Sequence, residues 1–143
     1  MTSKFTEFCD KFAIDDLLIK DFEYWRWSLR PVQLGAPSTI LSLKRPAEFL
    51  SELTSAEAEE MSLVFSHIEK TVKVKFDYDK INYLALMMID FHVHFHIIPR
   101  YSEKKEMHGI DIIDNDWPKP PNVLEGTPLS ESLSKQLISI LKS

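Results

Sequence analysis

The sequence predicts a domain in which helices and strands are mixed, and two patterns carry this prediction. The run from Ile89 to Ile98 alternates apolar and polar residues, which is typical of a strand with one buried face. The tetrad Thr54-Ser55-Ala56-Glu57 is a capping box, and the apolar stripe that follows it predicts a helix to about Lys73. A chain of 143 residues is long enough for one such domain.

The other elements follow from the same kinds of pattern. We predict a short N-terminal helix over Phe5–Phe12, strands at Asp21–Leu29, Thr39–Leu43 and Ile81–Ile89, and a short C-terminal helix after Pro128. Pro99 should end the strand that begins near Ile89, because proline has no amide hydrogen for the ladder. We divide the chain into a catalytic domain over residues 1–105 and a C-terminal extension over 106–143. The proline-rich segment Trp117–Pro121 should wrap over the domain or a partner.

Composition and charge narrow the function classes. The net charge of −5 argues against non-specific binding to nucleic acid or to an anionic membrane. Cys9 is the only cysteine, so no internal disulfide can form and a reducing compartment is favoured. We find no basic leader followed by an apolar segment, and no apolar run of the ~18–20 residues that span a bilayer. We therefore expect a cytoplasmic protein.

Three of the five histidines lie at alternate positions of one predicted strand. His92, His94 and His96 share one face, which should line a cleft or a water-accessible surface. The opposite face should meet the core through Ile89, Phe91, Val93, Phe95 and Ile97.

The pattern leaves three interpretations open. The first is a solvated strand face that is rich in histidine, which three histidines in strict alternation make the least favoured. A zinc site is the second interpretation: side chains two apart on a strand lie about 6.6 Å apart, so His92 and His96 are separated by roughly 13 Å. Two neighbours can reach one ion, and all three only with strain. The third is a row of imidazoles beneath a phosphate chain, one attacking phosphorus and its neighbours donating hydrogen bonds.

The run from His92 to Ile98, followed by Pro99-Arg100, resembles the His-φ-His-φ-His-φ-φ motif of the histidine triad family of nucleotide hydrolases and transferases. The resemblance implies an α+β fold with an antiparallel sheet of about five strands and flanking helices. It also implies a homodimer that forms through the sheet and helices.

The resemblance further implies an enzyme in which His94 attacks the α-phosphorus of a nucleotide and forms a covalent nucleotidyl-imidazole. His96 would hydrogen-bond phosphate or leaving-group oxygens, and His92 would orient and polarise the site. The substrate class is dinucleoside polyphosphates or nucleoside phosphoramidates, with no metal and no other cofactor. The candidate substrate-binding residues are Asn82, Asp90, Ser38, Lys44 and Arg100.

Some of these residues can also be interpreted as purely structural. Asn82 can equally be an amide that completes a turn at a strand end, and Asp90, which could raise the basicity of His92, can be a plain turn residue. His67 is best interpreted as an ordinary residue of the central helix.

The chain departs from the family pattern just before the histidines and on either side of the predicted strand Thr39–Leu43. Met87–Asp90 stands where many members have a Gly-rich phosphate turn, and Ser38 and Pro46 stand where many have histidines. Two alternatives to covalent catalysis by His94 remain: a non-catalytic nucleotide-binding module, and a zinc-dependent site that uses two of the triad histidines.

Overall fold

The computed structural model describes residues 3–143 and shows three helices and nine strands. The helices are α1 (Lys4–Lys11), α2 (Ser55–Phe76) and α3 (Glu131–Lys142), and a short 3₁₀ turn spans Leu50–Glu52. The strands are β1 (Leu18–Asp21), β2 (Trp25–Leu29), β3 (Val32–Gln33), β4 (Thr39–Leu43), β5 (Lys80–Leu84), β6 (His94–Arg100), β7 (Lys105–Met107), β8 (Ile110–Ile112) and β9 (Thr127–Pro128).

Five strands form one antiparallel sheet in the order β1-β2-β4-β6-β5, which confirms the predicted α+β fold. The two remaining sheets are the pairs β3-β9 and β7-β8. Strand β6 lies between β4 and β5, and its register places His94 opposite Ser42 and His96 opposite Ile40. His94 and His96 are therefore on an inner strand, where neighbouring strands fix the backbone on both sides.

The two faces of the sheet are covered by different helices. One face packs against α2 and α3 and forms the main core, to which Trp25, Trp27, Phe95 and Ile97 contribute. The other face carries a smaller apolar cluster, in which α1 and the residues after it pack against β4: Phe8, Phe12, Ile14 and Ile40. This second face is the one that bears the histidines.

The N-terminus of α2 confirms the predicted capping box. The Thr54 hydroxyl accepts a hydrogen bond from the Glu57 amide at 3.1 Å, and the Glu57 carboxylate accepts one from the Thr54 amide at 2.8 Å. Arg45 also donates to the buried Glu57 carboxylate at 2.7 Å, and this bond does most to lower the pKa of Glu57, to about 2. The helix ends at Phe76, three residues beyond the predicted end.

The prediction of one strand over Asp21–Leu29 is wrong. Asp21 ends β1 and Trp25 begins β2, and the Phe22 amide donates to the Trp25 carbonyl at 2.8 Å to close the turn between them. The aromatic residues around the turn gave the sequence an almost continuous strand pattern. A hairpin turn without glycine or proline left no break in that pattern.

The boundaries predicted around the histidines are also wrong. Strand β5 ends at Leu84 and β6 begins only at His94, so residues 85–93 form a loop rather than two strands. Met87 in this loop has φ of 39°, and Met88 and Ile89 are 77% and 80% exposed. The apolar character of residues 85–93 therefore predicted buried strands in a segment that forms a largely exposed loop.

Pro99 lies within β6 and does not end it. It pairs with Ile81 of β5, while β4 pairs with β6 only up to Ile97. Beyond Ile97 the strand has one neighbour in the sheet, so the missing amide hydrogen of proline interrupts no second ladder.

Residues 106–143, predicted as an extension, share the main core with the rest of the chain through Leu137 and Leu141 of α3. The division after residue 105 therefore stays a sequence prediction without a separate core behind it. Within residues 3–143 no helix is both long enough and apolar enough to cross a bilayer.

A buried ion pair holds the C-terminal segment to β6. The Arg100 guanidinium donates to the Asp114 carboxylate at 2.7 and 3.1 Å, and both side chains are about 5% exposed. The same carboxylate accepts from the amides of Tyr101, Asp116 and Trp117, each at 3.1 Å. The proline-rich segment that begins at the half-buried Trp117 is therefore fixed to β6 at its first residue, through the Arg100–Asp114 pair.

We predict that Asp114→Asn lowers the free energy of unfolding by about 3–5 kcal/mol, because it leaves the Arg100 charge buried without its partner. Urea denaturation measures this change. The matched control is Glu131→Gln, which breaks an exposed ion pair with Lys135 and should cost no more than about 1 kcal/mol. Equal effects of the two substitutions would contradict the assignment of Asp114 as a buried clamp.

Candidate active site

His92, His94 and His96 are held by the end of β4 and the start of β6. The Val93 amide donates to the Ala47 carbonyl at 2.8 Å, and the Leu43 amide donates to the Val93 carbonyl at 3.2 Å. His92, although it precedes β6, is thereby fixed, and its Nε2 donates to the Leu43 carbonyl at 2.7 Å. The three histidines share one face of the sheet, as predicted.

Helix α1 covers this face. The Phe5 ring lies 4.7 Å from that of His92, centroid to centroid, and the Phe8 ring lies 4.8 Å from that of His94. The Phe12 ring lies 5.8 Å from His96. As a result the three histidines are only 1–6% exposed. Of the two surroundings that the sequence left open for this face, a cleft or a water-accessible surface, the structure does not show the open surface. The N-terminal phenylalanine stripe, predicted as a helix, is the cause.

Burial has a direct electrostatic effect on the triad. It is the largest cause that lowers the pKa of each imidazole, because a charged ring would lose its hydration. The pKa of His96 falls to about 3, with the neighbouring His94, Arg30 and Lys11 adding to the effect of burial. All three rings are therefore neutral near pH 7.

The hydrogen bonds of His94 determine which of its nitrogens is free to react. Its Nδ1 contacts the backbone carbonyl of His92, and a carbonyl can only accept, so Nδ1 carries the proton. In the neutral ring Nε2 then holds a lone pair. This nitrogen lies 3.2 Å from Nε2 of His96. His94 thus presents an unprotonated nitrogen toward a neighbouring imidazole.

A pocket of about 520 Å³ opens onto His94 and His96. Two cations, Lys11 and Arg30, line it together with Asp90. Its remaining wall is mostly apolar and comes from four segments: Phe12, Pro31-Val32, residues 86–89 of the loop and Val123-Leu124. The pocket combines an apolar wall with a few polar groups near the reactive nitrogen, as small-molecule sites commonly do.

The loop before β6 is tied to α1 at two points. Lys11 donates to both oxygens of Asp90, at 2.9 and 3.0 Å, and the Lys4 ammonium lies 4.1 Å from the centre of the Phe91 ring. Asp90 therefore pairs with Lys11 rather than with His92, the partner suggested by the sequence. The negative charge of Asp90 acts to raise the pKa of His94, against the larger effect of burial.

The structure does not bring the other predicted substrate-binding residues to this pocket. Asn82 accepts from Arg100 at 2.7 Å, and Arg100 is four residues beyond His96, roughly 13 Å along the strand. The Ser38 hydroxyl accepts from the Leu34 amide at 3.0 Å inside a buried turn. Lys44 pairs with Asp21 at 3.2 Å. Each would have to leave its present partners to meet a ligand at the triad.

The analysis of the sequence missed Arg30 and Lys11. A signal for Arg30 exists, because Arg26, Ser28 and Arg30 alternate with the buried Trp25, Trp27 and Leu29. Period two therefore assigns Arg30 to the polar face of its strand, the face on which the histidines of β6 also lie. For Lys11, one turn of helix beyond Phe8, no comparable signal pointed to the loop at Asp90.

Three alternating histidines, of which His94 and His96 lie beside a pocket on an inner strand of a five-stranded antiparallel sheet, agree with the resemblance to the histidine triad class of proteins. Residues 38–103 match the family model described as the HIT domain. These residues therefore carry the HIT domain, as the resemblance to the histidine triad family predicted. No curated protein sequence matches it at a significant level.

Solved structures share the fold over nearly the whole chain. A histidine triad protein from Marinobacter aquaeolei is 20% identical, with a TM-score of 0.76 over 93% of this chain and 90% of its own. A protein from Sulfolobus tokodaii, described as a hypothetical histidine triad nucleotide-binding protein, is 17% identical, with a TM-score of 0.70 over 95% and 89%. A zinc-bound histidine triad family protein from Mycobacterium smegmatis is 17% identical, with a TM-score of 0.60 over 97% and 95%.

We predict that Phe8→Ala raises the pKa of His94 and His92 toward the free-imidazole value of about 6.5, because it lets water reach both rings. In the unchanged protein these folded-state pKa values lie below the unfolded value. Stability is therefore full above about pH 6.5 and falls as the pH drops and the unfolded chain takes up protons. Histidine signals followed by NMR across a pH titration measure the shift.

The control for this experiment is Leu63→Ala, an exposed position on α2, across the sheet from the triad. It should leave both histidine pKa values where they are. A Phe8→Ala protein that is folded but shows unchanged titration of His94 would contradict the attribution to α1.

Proposed function

We propose that the chain is a nucleotide phosphohydrolase or nucleotidyltransferase in which His94 attacks the α-phosphorus of its substrate. The substrate class is a dinucleoside polyphosphate of the diadenosine tetraphosphate type, or a nucleoside phosphoramidate. One observation carries the proposal: Nε2 of His94 is unprotonated and lies beside a second imidazole, at a pocket that is lined by the cationic side chains of Lys11 and Arg30. An imidazole in this state is a good nucleophile at neutral pH.

The reaction takes place in two displacements. In the first, Nε2 of His94 forms a bond to phosphorus while the bond from phosphorus to the leaving oxygen or nitrogen breaks, and His96 gives its Nε2 proton to the leaving group. In the second, a water oxygen attacks phosphorus, the electron pair of the N–P bond returns to His94, and the water proton restores His96. In a transferase another acceptor takes the place of water. The products balance, and no oxidant or metal is needed.

The hydrogen bond at Nδ1 of His94 supports the covalent intermediate. Once Nε2 is bonded to phosphorus the ring becomes cationic, and Nδ1 keeps its proton and donates it in a hydrogen bond to the His92 carbonyl. The fixed carbonyl dipole therefore stabilises the charge that develops during attack, without reorganisation. His92 contributes through this backbone oxygen and through its own bond to Leu43, which orients the segment.

The pocket wall supports a nucleoside as the bound group. Apolar side chains from α1, the loop before β6 and the segment at Val123 can pack against a base, while Lys11 and Arg30 face the phosphate. The description of the Sulfolobus tokodaii protein as nucleotide-binding agrees with this. Of the predicted substrate-binding residues, Asp90 is the one that lines this pocket, where it holds Lys11.

Assembly and compartment complete the proposal. We expect a homodimer in which the sheet continues across a two-fold axis, and β5, an outer strand of the sheet, has one side free of other strands of that sheet. A cytoplasmic location is supported by the single cysteine, Cys9.

A zinc-dependent site is the second candidate, because the two Nε2 atoms of His94 and His96 are close enough to share an ion and the Mycobacterium smegmatis protein is described as zinc-bound. Within residues 3–143, however, no three or more His, Cys, Asp or Glu side chains are arranged so that they could hold one metal ion. The third candidate is a binding module without turnover.

We predict that His94→Ala abolishes both a covalent adduct and turnover. Intact-protein mass is recorded after mixing with nucleoside phosphoramidates and dinucleoside polyphosphates, with and without chelator, and products are followed in the same samples. The unchanged protein should gain one nucleotide mass transiently, regardless of chelator. His108→Asn is the control, since His108 is an exposed histidine at φ of 55°, a conformation that asparagine tolerates.

The other outcomes decide between the candidates. Turnover that persists in His94→Ala removes His94 as the nucleophile. Turnover that chelator stops, together with stoichiometric zinc, supports the metal site. Nucleotide binding with neither adduct nor turnover supports the binding module.

A further inference from the structure

We propose that Arg30 is a positioning residue of the triad: its guanidinium fixes the tautomer of His96, so that the proton of that ring is held on Nε2, facing His94. The assignment of the tautomer stands on the hydrogen bonds alone. Its consequence for catalysis rests on the proposed function, in which His96 gives this proton to the leaving group.

Arg30 is held firmly in the position that this role requires. It follows directly on β2 and its side chain is buried, with 7% of the residue exposed. Nη1 donates to the Val32 carbonyl at 2.5 Å, and the backbone amide of Arg30 donates to the Ser38 carbonyl at 2.9 Å. The Nε atom then lies 3.3 Å from Nδ1 of His96. The guanidinium therefore reaches the ring from the side opposite His94.

The chemistry of the two groups decides where the proton of His96 lies. A guanidinium has donors only, so Nδ1 of His96 must accept and carries a lone pair. The proton of the neutral ring is then on Nε2. His94 has the complementary tautomer, because its Nδ1 donates to the His92 carbonyl and its Nε2 holds a lone pair. The 3.2 Å contact between the two Nε2 atoms is thus a hydrogen bond from His96 to His94.

These bonds form one directed chain. It runs from Arg30 to His96, from His96 to His94, and from His94 to the backbone of His92. The two ends of this chain have a fixed direction by their own chemistry, because the Arg30 guanidinium can only donate and the His92 carbonyl can only accept, whereas an imidazole can do either. Without Arg30, the proton of His96 could move to Nδ1, and the ring would then present a lone pair to the nucleophile and the leaving group.

The positive charge of Arg30 also favours a neutral His96 that donates from Nε2. No carboxylate within residues 3–143 forms an ion pair with this buried side chain, so its charge is not neutralised by a protein neighbour. The other charged side chains of the pocket are Lys11 and Asp90, which pair with each other. A cation at 3.3 Å disfavours a second positive charge on His96 and keeps the ring a neutral donor. It also leaves a positive charge for an anionic phosphoryl group.

We predict that Arg30→Met changes the tautomer of His96 and slows the reaction. Long-range ¹H–¹⁵N spectra of the ligand-free protein near pH 7.5 distinguish protonated from unprotonated ring nitrogens. The unchanged protein should show His96 protonated at Nε2, and Arg30→Met should show a mixture or protonation at Nδ1. We expect kcat for the phosphoramidate to fall about 10²-fold or more, the usual contribution of a positioned proton donor.

Two further variants separate positioning from a merely structural effect. Arg26→Met removes an arginine of β2 on the same face of the sheet as Arg30. Arg26 pairs with Asp15 rather than with a histidine, so this variant should leave the tautomer of His96 and kcat unchanged. Arg30→Lys keeps a cationic donor and should restore the Nε2 proton together with part of kcat. A backbone ¹H–¹⁵N spectrum confirms that each variant is folded.

Specific results overturn the inference. They are protonation of His96 at Nδ1 in the unchanged protein, or an unchanged tautomer in Arg30→Met. If Arg30→Met does not fold, the unchanged protein and Arg30→Lys decide by the same spectra. A protein with the expected tautomers but no turnover on any nucleotide contradicts the proposed function and leaves the positioning role intact, so the two failures are distinguishable.

Discussion

The burial of three imidazole rings between β6 and α1 is the constraint on which the rest of the site depends. Water has little access to His94, which is 1% exposed, so each ring nitrogen that is polar and buried needs a partner from the protein. The chain supplies backbone carbonyls at Leu43 and His92 and a guanidinium at Arg30. Each partner has one possible role in its hydrogen bond. Desolvation therefore produces neutral rings, and the choice of partners orders their protons.

The same constraint explains why elements remote in sequence must meet at this point. Helix α1 lies more than eighty residues before β6, and Arg30 precedes His96 by sixty-six positions. Antiparallel pairing of β2, β4 and β6 brings one face of each strand under α1. The opposite face is the main core, and packing of Trp27 and Phe95 there fixes the register of the histidines on the other side. A slip of one residue would exchange the two faces.

Local patterns predicted the parts of this arrangement that depend on local physics. The limits of β4 and the capping box of Thr54 were predicted correctly, since alternation and side-chain capping act over a few residues. The loop at residues 85–93 was not, because its apolar residues from Leu86 to Phe91 face the pocket and the surface rather than the core. The cover over the histidines and the contact with Arg30 were also missed. Both are tertiary contacts, and no periodicity within one segment encodes which segments meet.

The apolar loop before β6 changes how a phosphate must be held in this chain. A glycine-rich turn offers backbone amides to phosphate oxygens, whereas Met87–Asp90 offers apolar side chains and one carboxylate. That carboxylate is directed to Lys11, which ties the loop to α1 and draws part of the cationic field away from the pocket. Arg30 remains as the buried cation beside the triad without a carboxylate of its own in residues 3–143. Under the proposed function, one side chain therefore both orders the protons of the imidazoles and supplies positive charge to the phosphoryl group of the substrate.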